Sequence, residues 1–574
     1  MGYLKYRVCT SGDLVCHPFP TTRLFLIREL AIRGGDFLQQ ASRFTDCARS
    51  WERAKHWMQT CNASHPACHH KIEPGNLPTR LVYVGRNLYD LRLYLSKDLP
   101  ATTQYLTLSH CWGLKPFLTL KRTNMEAFFK NIPFNRSSKT FKDAIISTRR
   151  LGFDYIWIDS LCIIQDDRVD WSIEAGTMGN VYANSSLNLG AIDSPDGDTG
   201  LFFWRPEKKI LGWRVKLPLE QHQQGLPQNE SVWDCVPARR RESFDISVLS
   251  SRAWVFQERF LAPRNLYFGK DELSWECRTH RAYETSPFRH RFASQELKPA
   301  NSALLNITNS TEQWFRLVRH YSKGELTVAS DKLTALSGVA KLFALKSGKT
   351  YVAGLWKEDL LAQLLWQTDV PKNKTDIYRA PSWSWAAVDS QVYLLRDTRP
   401  TWGPQATVEQ CFVEPSQSVF EDARGAYILL RTHGLKSCRI AKWKGKRGDW
   451  GWGQLGRYVI ELPWLPPKAR LYNWLTLDFK DADLKGEFYI LRIMDGRGLV
   501  VKPTGRGTFV RVGCFRDWIL EAPPDVEAES REMLEFVEAK KREWRKLTEG
   551  EREVLGESVG VDKHGIPLYV IKLL

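Results

Sequence analysis

Apolar residues along this chain follow two rhythms. Short runs bounded by polar residues occur at 105–108 (YLTL), 155–158 (YIWI) and 186–191 (SLNLGA). Runs this short and continuous suit strands buried on both faces of a parallel sheet. Between the first two, Phe141, Ala144, Ile145, Thr148 and Leu151 recur at helical spacing, and Gly152 stands where a C-cap would. A second helix is expected over 169–182. Strand, helix, strand, helix, strand with short links predicts a doubly wound parallel α/β sheet. The pattern breaks at 195–250, which reads as an insertion rich in Pro, Gly and charge. It resumes with a helix at 251–259 and strands at 265–268 and 273–277.

The flanking regions are divided by composition. Residues 1–100 read as a mostly helical N-terminal region. The α/β core occupies 101–285, and 286–400 reads as a helical extension packing on it, with a Pro-marked extended segment at 378–389. Beyond 400 the pattern turns to strands, such as 427–431, 488–493 and 569–573, with a charged helix near 525–548. This predicts a C-terminal β-rich accessory domain.

A chain of 574 residues is too long for one core. The net charge of +17 raises the question of nucleic acid, but the Lys and Arg residues are scattered and their densest patches, 239–241 and 442–447, are short. With no finger spacing and no aromatic RNA-binding motif, specific nucleic-acid binding is not expected. No apolar stretch is long enough to span a bilayer, and the N-terminus lacks a signal-peptide core. The 12 cysteines sit in apolar contexts, as buried thiols of a cytoplasmic protein would. Most of the 23 tryptophans read as core side chains; the other reading is a stacking surface for a base or sugar.

Candidate chemistry gathers at the ends of the apolar segments: Ser109, His110, Cys111, Trp112 and Gly113; Asp159, Cys162 and Gln165; Arg252 and Glu258. In open α/β sheets, ligands bind past the carboxyl ends of the parallel strands. Glu174, Met178 and Tyr182 share one helical face, where burial would raise the pKa of the carboxylate toward use as a general base or cation stabiliser. A half-buried Glu holding an Arg is the plainer role. Asp159 suits either a ribose hydroxyl or the cap of the next turn, and Arg252 and Glu258 suit ion pairs with another cluster. Thiol catalysis is not expected, because His110 and Cys111 point to opposite faces of a strand. The motifs of P-loop proteins, dinucleotide-binding folds and serine hydrolases are absent. Cys61, His65 and Cys68 could hold zinc with a fourth ligand such as Cys47 or His69. Packed thiols beside a solvated His pair are the commoner outcome, so no metal site is assigned.

YLTLSHCWG (105–113), IWIDSLCIIQDD with its following helix (156–182) and SRAWVFQER (251–259) resemble the signature blocks of the HET domain, the heterokaryon-incompatibility domain of filamentous fungi. DKLTALSGVA (331–340), YVAGLW (351–356) and RAPSWSWAAVD (379–389) resemble its downstream pattern. The resemblance implies a cytoplasmic effector of non-self recognition and programmed cell death, acting with a partner protein or by self-association on activation. It also implies a distant TIR-like, flavodoxin-like sheet. Some TIR domains cleave NAD+ at the nicotinamide–ribose bond with a helix-borne Glu, and by position Glu174 is the expected catalytic residue. Ser109, Trp112, Gly113, Asp159, Cys162, Gln165, Arg252 and Glu258 are expected to line the nucleotide pocket. No cofactor is firmly implied, and NAD+ enters as a candidate substrate. The competing expectation is a non-catalytic scaffold that binds partner domains through the HET fold.

Overall fold

A computed structural model describes residues 43–69, 77–87, 90–205, 247–284, 310–375, 377–394 and the greater part of 404–574, with a few short strands outside these ranges. The chain forms two compact units, Met1–Ser302 and Ala303–Leu574.

An eight-stranded sheet organises the first unit. Its strands are β1 (Arg80–Tyr83), β2 (Arg92–Leu95), β3 (Leu106–Ser109), β4 (Tyr155–Trp157), β5 (Leu187–Gly190), β6 (Arg264–Phe268), β7 (Leu273–Cys277) and β8 (Arg281–Tyr283), in the order β8-β7-β6-β5-β3-β4-β1-β2. The central four, β6-β5-β3-β4, run parallel; Leu106 of β3 faces Leu187 of β5, and Asn188 faces Asn265 of β6. Every residue of β3, β5 and β6 is buried, as their continuous apolar runs require.

The parallel sheet expected forms the centre, and antiparallel strands flank it at both margins. β1 and β2 pair antiparallel with each other, and β1 antiparallel with β4; β7 and β8 add an antiparallel meander beside β6. For β1–β2 and for β6–β7–β8 the reason is loop length: strands joined by a few residues return antiparallel, whereas parallel neighbours need a crossover. β1 and β2 also place strands in a stretch that reads as mostly helical.

Helices supply those crossovers. α1 (Ala48–Ser64) precedes the sheet. α2 (Lys139–Leu151) links β3 to β4; Ser138 caps its start by accepting from Phe141 N, and Gly152 ends it in the left-handed region. α3 (Arg168–Ala183) links β4 to β5, its first turn capped by the Asp167 carboxylate accepting from Val169 N and Asp170 N. α4 (Ala253–Leu261) precedes β6. The insertion carries two strands, Trp213–Leu217 and Ser231–Pro237, which pair with each other in a small four-stranded sheet with Tyr3–Leu4 and Leu24–Ile27.

The second unit contains the segment 310–394 together with the β-rich region. Its motifs close on one another around a hairpin. Trp314 Nε1 and Trp385 Nε1 both donate to Gly354 O, and Ser384 Oγ donates to Ala353 O. Gly354 has φ +93°, and a Cβ there would meet Trp385 Nε1 at 2.8 Å. Beyond 400, ten described strands form one sheet around Ile460, Leu475, Phe488, Val500 and Phe515. Strands at Tyr427–Thr432, Phe488–Met494 and Pro567–Leu573 match those expected there. The helix expected near 525–548 lies almost entirely outside the described residues. Among those described, no helix is long and apolar enough to cross a membrane.

Candidate active site at the carboxyl edge of the sheet

The parallel strands β3, β4 and β5 end together, and the polar residues that follow them meet there. The cluster is anchored by Asn188, buried in the middle of β5. Its Oδ1 accepts from Thr107 Oγ1 (3.0 Å), and its Nδ2 donates to Ser109 Oγ (3.0 Å) and to Asn265 Oδ1 (3.0 Å). One amide thus crosses three strands and aims the Ser109 hydroxyl. With Asn188 donating to it, Ser109 Oγ can give its own proton to Glu258, with which it is hydrogen-bonded.

Glu258 reaches this point from α4. Burial pushes its carboxyl up to about 7; Asp159 adds to the rise, while Ser109, Arg252 and Tyr182 oppose it. Its Oε2 is buried and has no hydrogen-bond partner. A buried carboxyl with one free oxygen and a pKa near neutrality is suited to take or give a proton.

Asp159 and Trp112 lie nearer the surface. Trp112 Nε1 donates to Asp159 Oδ2 at 2.9 Å, while Asp159 Oδ1 accepts from Ser160 N at 2.7 Å. Asp159 lies in the first turn of the short helix after β4, not at its N-cap, and it holds the indole. His110 Nδ1 lies 3.8 Å from Asp159 Oδ1, but burial lowers the imidazole to about 4, so the ring is neutral at pH 7 and no ion pair forms. Arg252 donates from Nη1 to His110 O, binding the start of α4 to the end of β3. Gly113 takes φ +70°, and a Cβ there would come within 2.7 Å of Asp196 Cβ, so the turn after Trp112 requires glycine.

The remaining expected residues are placed differently. Gln165 Nε2 donates to Ile163 O (2.9 Å) and Asp159 O (3.2 Å), bracing the loop after β4. Burial raises the thiols of Cys111 and Cys162, the latter to about 12, which leaves neither a thiolate at neutral pH. Glu174 is buried on the face it shares with Met178 and Tyr182. Its partner, however, is Arg80 of β1, 3.4 Å away, whose guanidinium also binds Asp170 at 2.6 Å and donates from Nε to Cys162 O at 2.6 Å. Burial raises the Glu174 carboxyl while Thr79 and Arg80 hold it down. The two buried carboxyls thus have different neighbours: Glu174 lies against Arg80 and Thr79, and Glu258 against Ser109 and Tyr182 with Arg252 nearby. Nothing in the local sequence announces Arg80, because it comes from a strand formed far earlier in the chain.

A second group of ligand-type side chains converges elsewhere. Cys61, His65 and Cys68 come together with Cys277, their ligand atoms all within 4.8 Å of one another. Cys47 instead caps α1 and His69 Nε2 contacts Asn62 O at 2.7 Å. The fourth member is one that spacing could not supply.

The parallel strands of this α/β domain thus end in a buried carboxyl, a hydroxyl and a half-exposed indole, at the edge where open α/β sheets in general carry their sites. Residues 105–258 match the family model of the heterokaryon incompatibility protein (HET), so this part of the chain is a HET domain. The match begins at Tyr105, beside β3, and closes on Glu258, enclosing Ser109, Trp112, Asp159, Asn188 and Arg252. No curated protein and no solved structure matches the chain.

Proposed function

We propose that this protein is an effector of fungal non-self recognition and programmed cell death that cleaves NAD+ through the carboxyl edge of its HET domain. The observation that carries the reading is Glu258: a buried carboxyl near neutrality, with a free oxygen, beside Ser109, Asp159 and Arg252. The order of the parallel strands, second-first-third-fourth along the chain, is that of flavodoxin-like sheets and supports the TIR-like comparison.

In this reading the C1′–N bond to nicotinamide breaks, and its electron pair neutralises the pyridinium nitrogen. The ribosyl cation left behind is stabilised by the Asp159 carboxylate. Water attacks C1′ and gives its proton to Glu258 Oε2. Trp112 offers a stacking face, and Arg252 a cation for the diphosphate. Glu174, locked to Arg80, holds α3 against β1.

The test is nicotinamide release from NAD+ by the full chain at high protein concentration. Loss of release in Glu258→Gln with retention in Glu174→Gln supports the reading. The reverse result would move the chemistry to Glu174, and no release from the wild type, even when forced to oligomerise, would sink the enzyme.

The second reading, a scaffold acting through protein contacts, is favoured by Val169 and Ile173, which are exposed one turn apart on α3 and are suited to self-association. It expects killing to survive Glu258→Gln and to fail in Ile173→Glu.

A further inference from the structure

Cys61, His65, Cys68 and Cys277 take no part in the chemistry above, and their arrangement calls for its own explanation. All four are buried. The local sequence explains three of them. Cys61 lies in the last turn of α1; His65 ends that helix, its N–H donating to Cys61 O at 3.2 Å. Pro66 then starts a single 3-10 turn, Pro66–Cys68, which swings Cys68 back toward the helix end. Cys277 arrives from the last position of β7, 212 residues beyond His65 in the chain, with its Sγ 3.4 Å from His65 Nδ1.

Apolar packing does not call for this geometry. Three thiols and an imidazole are turned inward on one point, and all three cysteines are free. A disulfide between any two would strand the third thiol beside it. A tetrahedral zinc ion with sulfur at about 2.3 Å and nitrogen at about 2.1 Å needs an S···N edge of about 3.6 Å, close to the one present.

The surroundings are those of a charged sulfur centre. Arg264, itself buried, donates from Nε to Cys61 Sγ at 3.3 Å. His280 N donates to Cys277 Sγ at 3.4 Å, and Thr279 Oγ1 lies 3.6 Å from Cys68 Sγ. Arg278 is held beside them by Ala67 O at 3.2 Å. Zinc with three thiolates and a neutral histidine carries a net charge of one minus, which Arg264 and Arg278 offset. Donors to ligand sulfur are the usual support of such sites.

We propose that Cys61, His65, Cys68 and Cys277 bind one zinc ion in a closed, tetrahedral, structural site that ties the end of α1 to the β7–β8 turn. Binding releases the three thiol protons to solvent and changes no oxidation state.

The full-length protein, purified under reducing conditions, is assayed for metal by mass spectrometry and then reconstituted with cobalt. One zinc per chain is expected, as are the intense thiolate-to-cobalt charge-transfer band and the visible bands of a tetrahedral cobalt ion. Cys277→Ser and Cys68→Ser are each expected to lose most of the metal. If either variant fails to fold, the cobalt spectrum of the wild type decides. A folded wild-type chain with metal far below one equivalent after zinc reconstitution, or cobalt bands without sulfur character, would overturn the proposal. So would a Cys277→Ser protein that keeps its full zinc content. None of these readouts depends on NAD+ cleavage.

Discussion

His110 and Glu258 sit in one buried cluster yet respond to pH in opposite directions. His110 is held neutral to about 4, so between there and the ordinary histidine value the unfolded chain binds the extra proton and stability falls as pH falls. Glu258 stays protonated to about 7, so the unfolded chain ionises first and stability falls as pH rises through that value. Each displacement from the ordinary value corresponds to roughly 3 kcal/mol. Glu258→Gln should therefore raise the urea midpoint at pH 8 and leave it nearly unchanged at pH 4, where the carboxyl is already neutral. His110→Asn should flatten the loss of stability between pH 6 and pH 4. If Glu258 is the base, nicotinamide release should climb as pH passes through about 7. The sequence placed both residues at the right edge of the sheet. It could not separate Glu258 from Glu174, because the difference is made by what each carboxyl meets in the fold: Arg80 at 3.4 Å beside Glu174, and one oxygen without a hydrogen bond at Glu258.

Elements in which rhythm and capping agreed were legible. α2 has a serine cap, a left-handed glycine at its end and an apolar face that together leave little choice, and β3 and β5, both buried throughout, declare themselves by their apolar runs. β1 and β2 were not legible, since their polar ends and four-residue lengths carry no period. Arg80 shows what such a strand does: it ties β1 to α3 through Asp170 and to the segment after β4 through Cys162 O. Arg80→Ala should strand two carboxylates and cost about 3 kcal/mol in urea unfolding, with part recovered by adding Asp170→Asn. In the second unit, Gly354→Ala should cost about 2 kcal/mol or more, because its backbone is left-handed and Trp385 already fills the space.

For the whole molecule, two compact units imply two unfolding events. Calorimetry of the full chain should resolve two transitions. Gly354→Ala should lower only one of them, and zinc chelation only the other. Cys277 is the plainest limit on reading this chain as a string, since no spacing rule reaches a ligand 212 residues away. Asn188 has a meaning at this scale as well. A sheet centre made of leucine-rich strands is nearly as content one residue out of step, and parallel strands gathered from distant parts of the chain have no tight turn to index them. The amide that joins Thr107, Ser109 and Asn265 can be satisfied in only one alignment, so it serves the assembling chain as a proofreader before it serves the finished site.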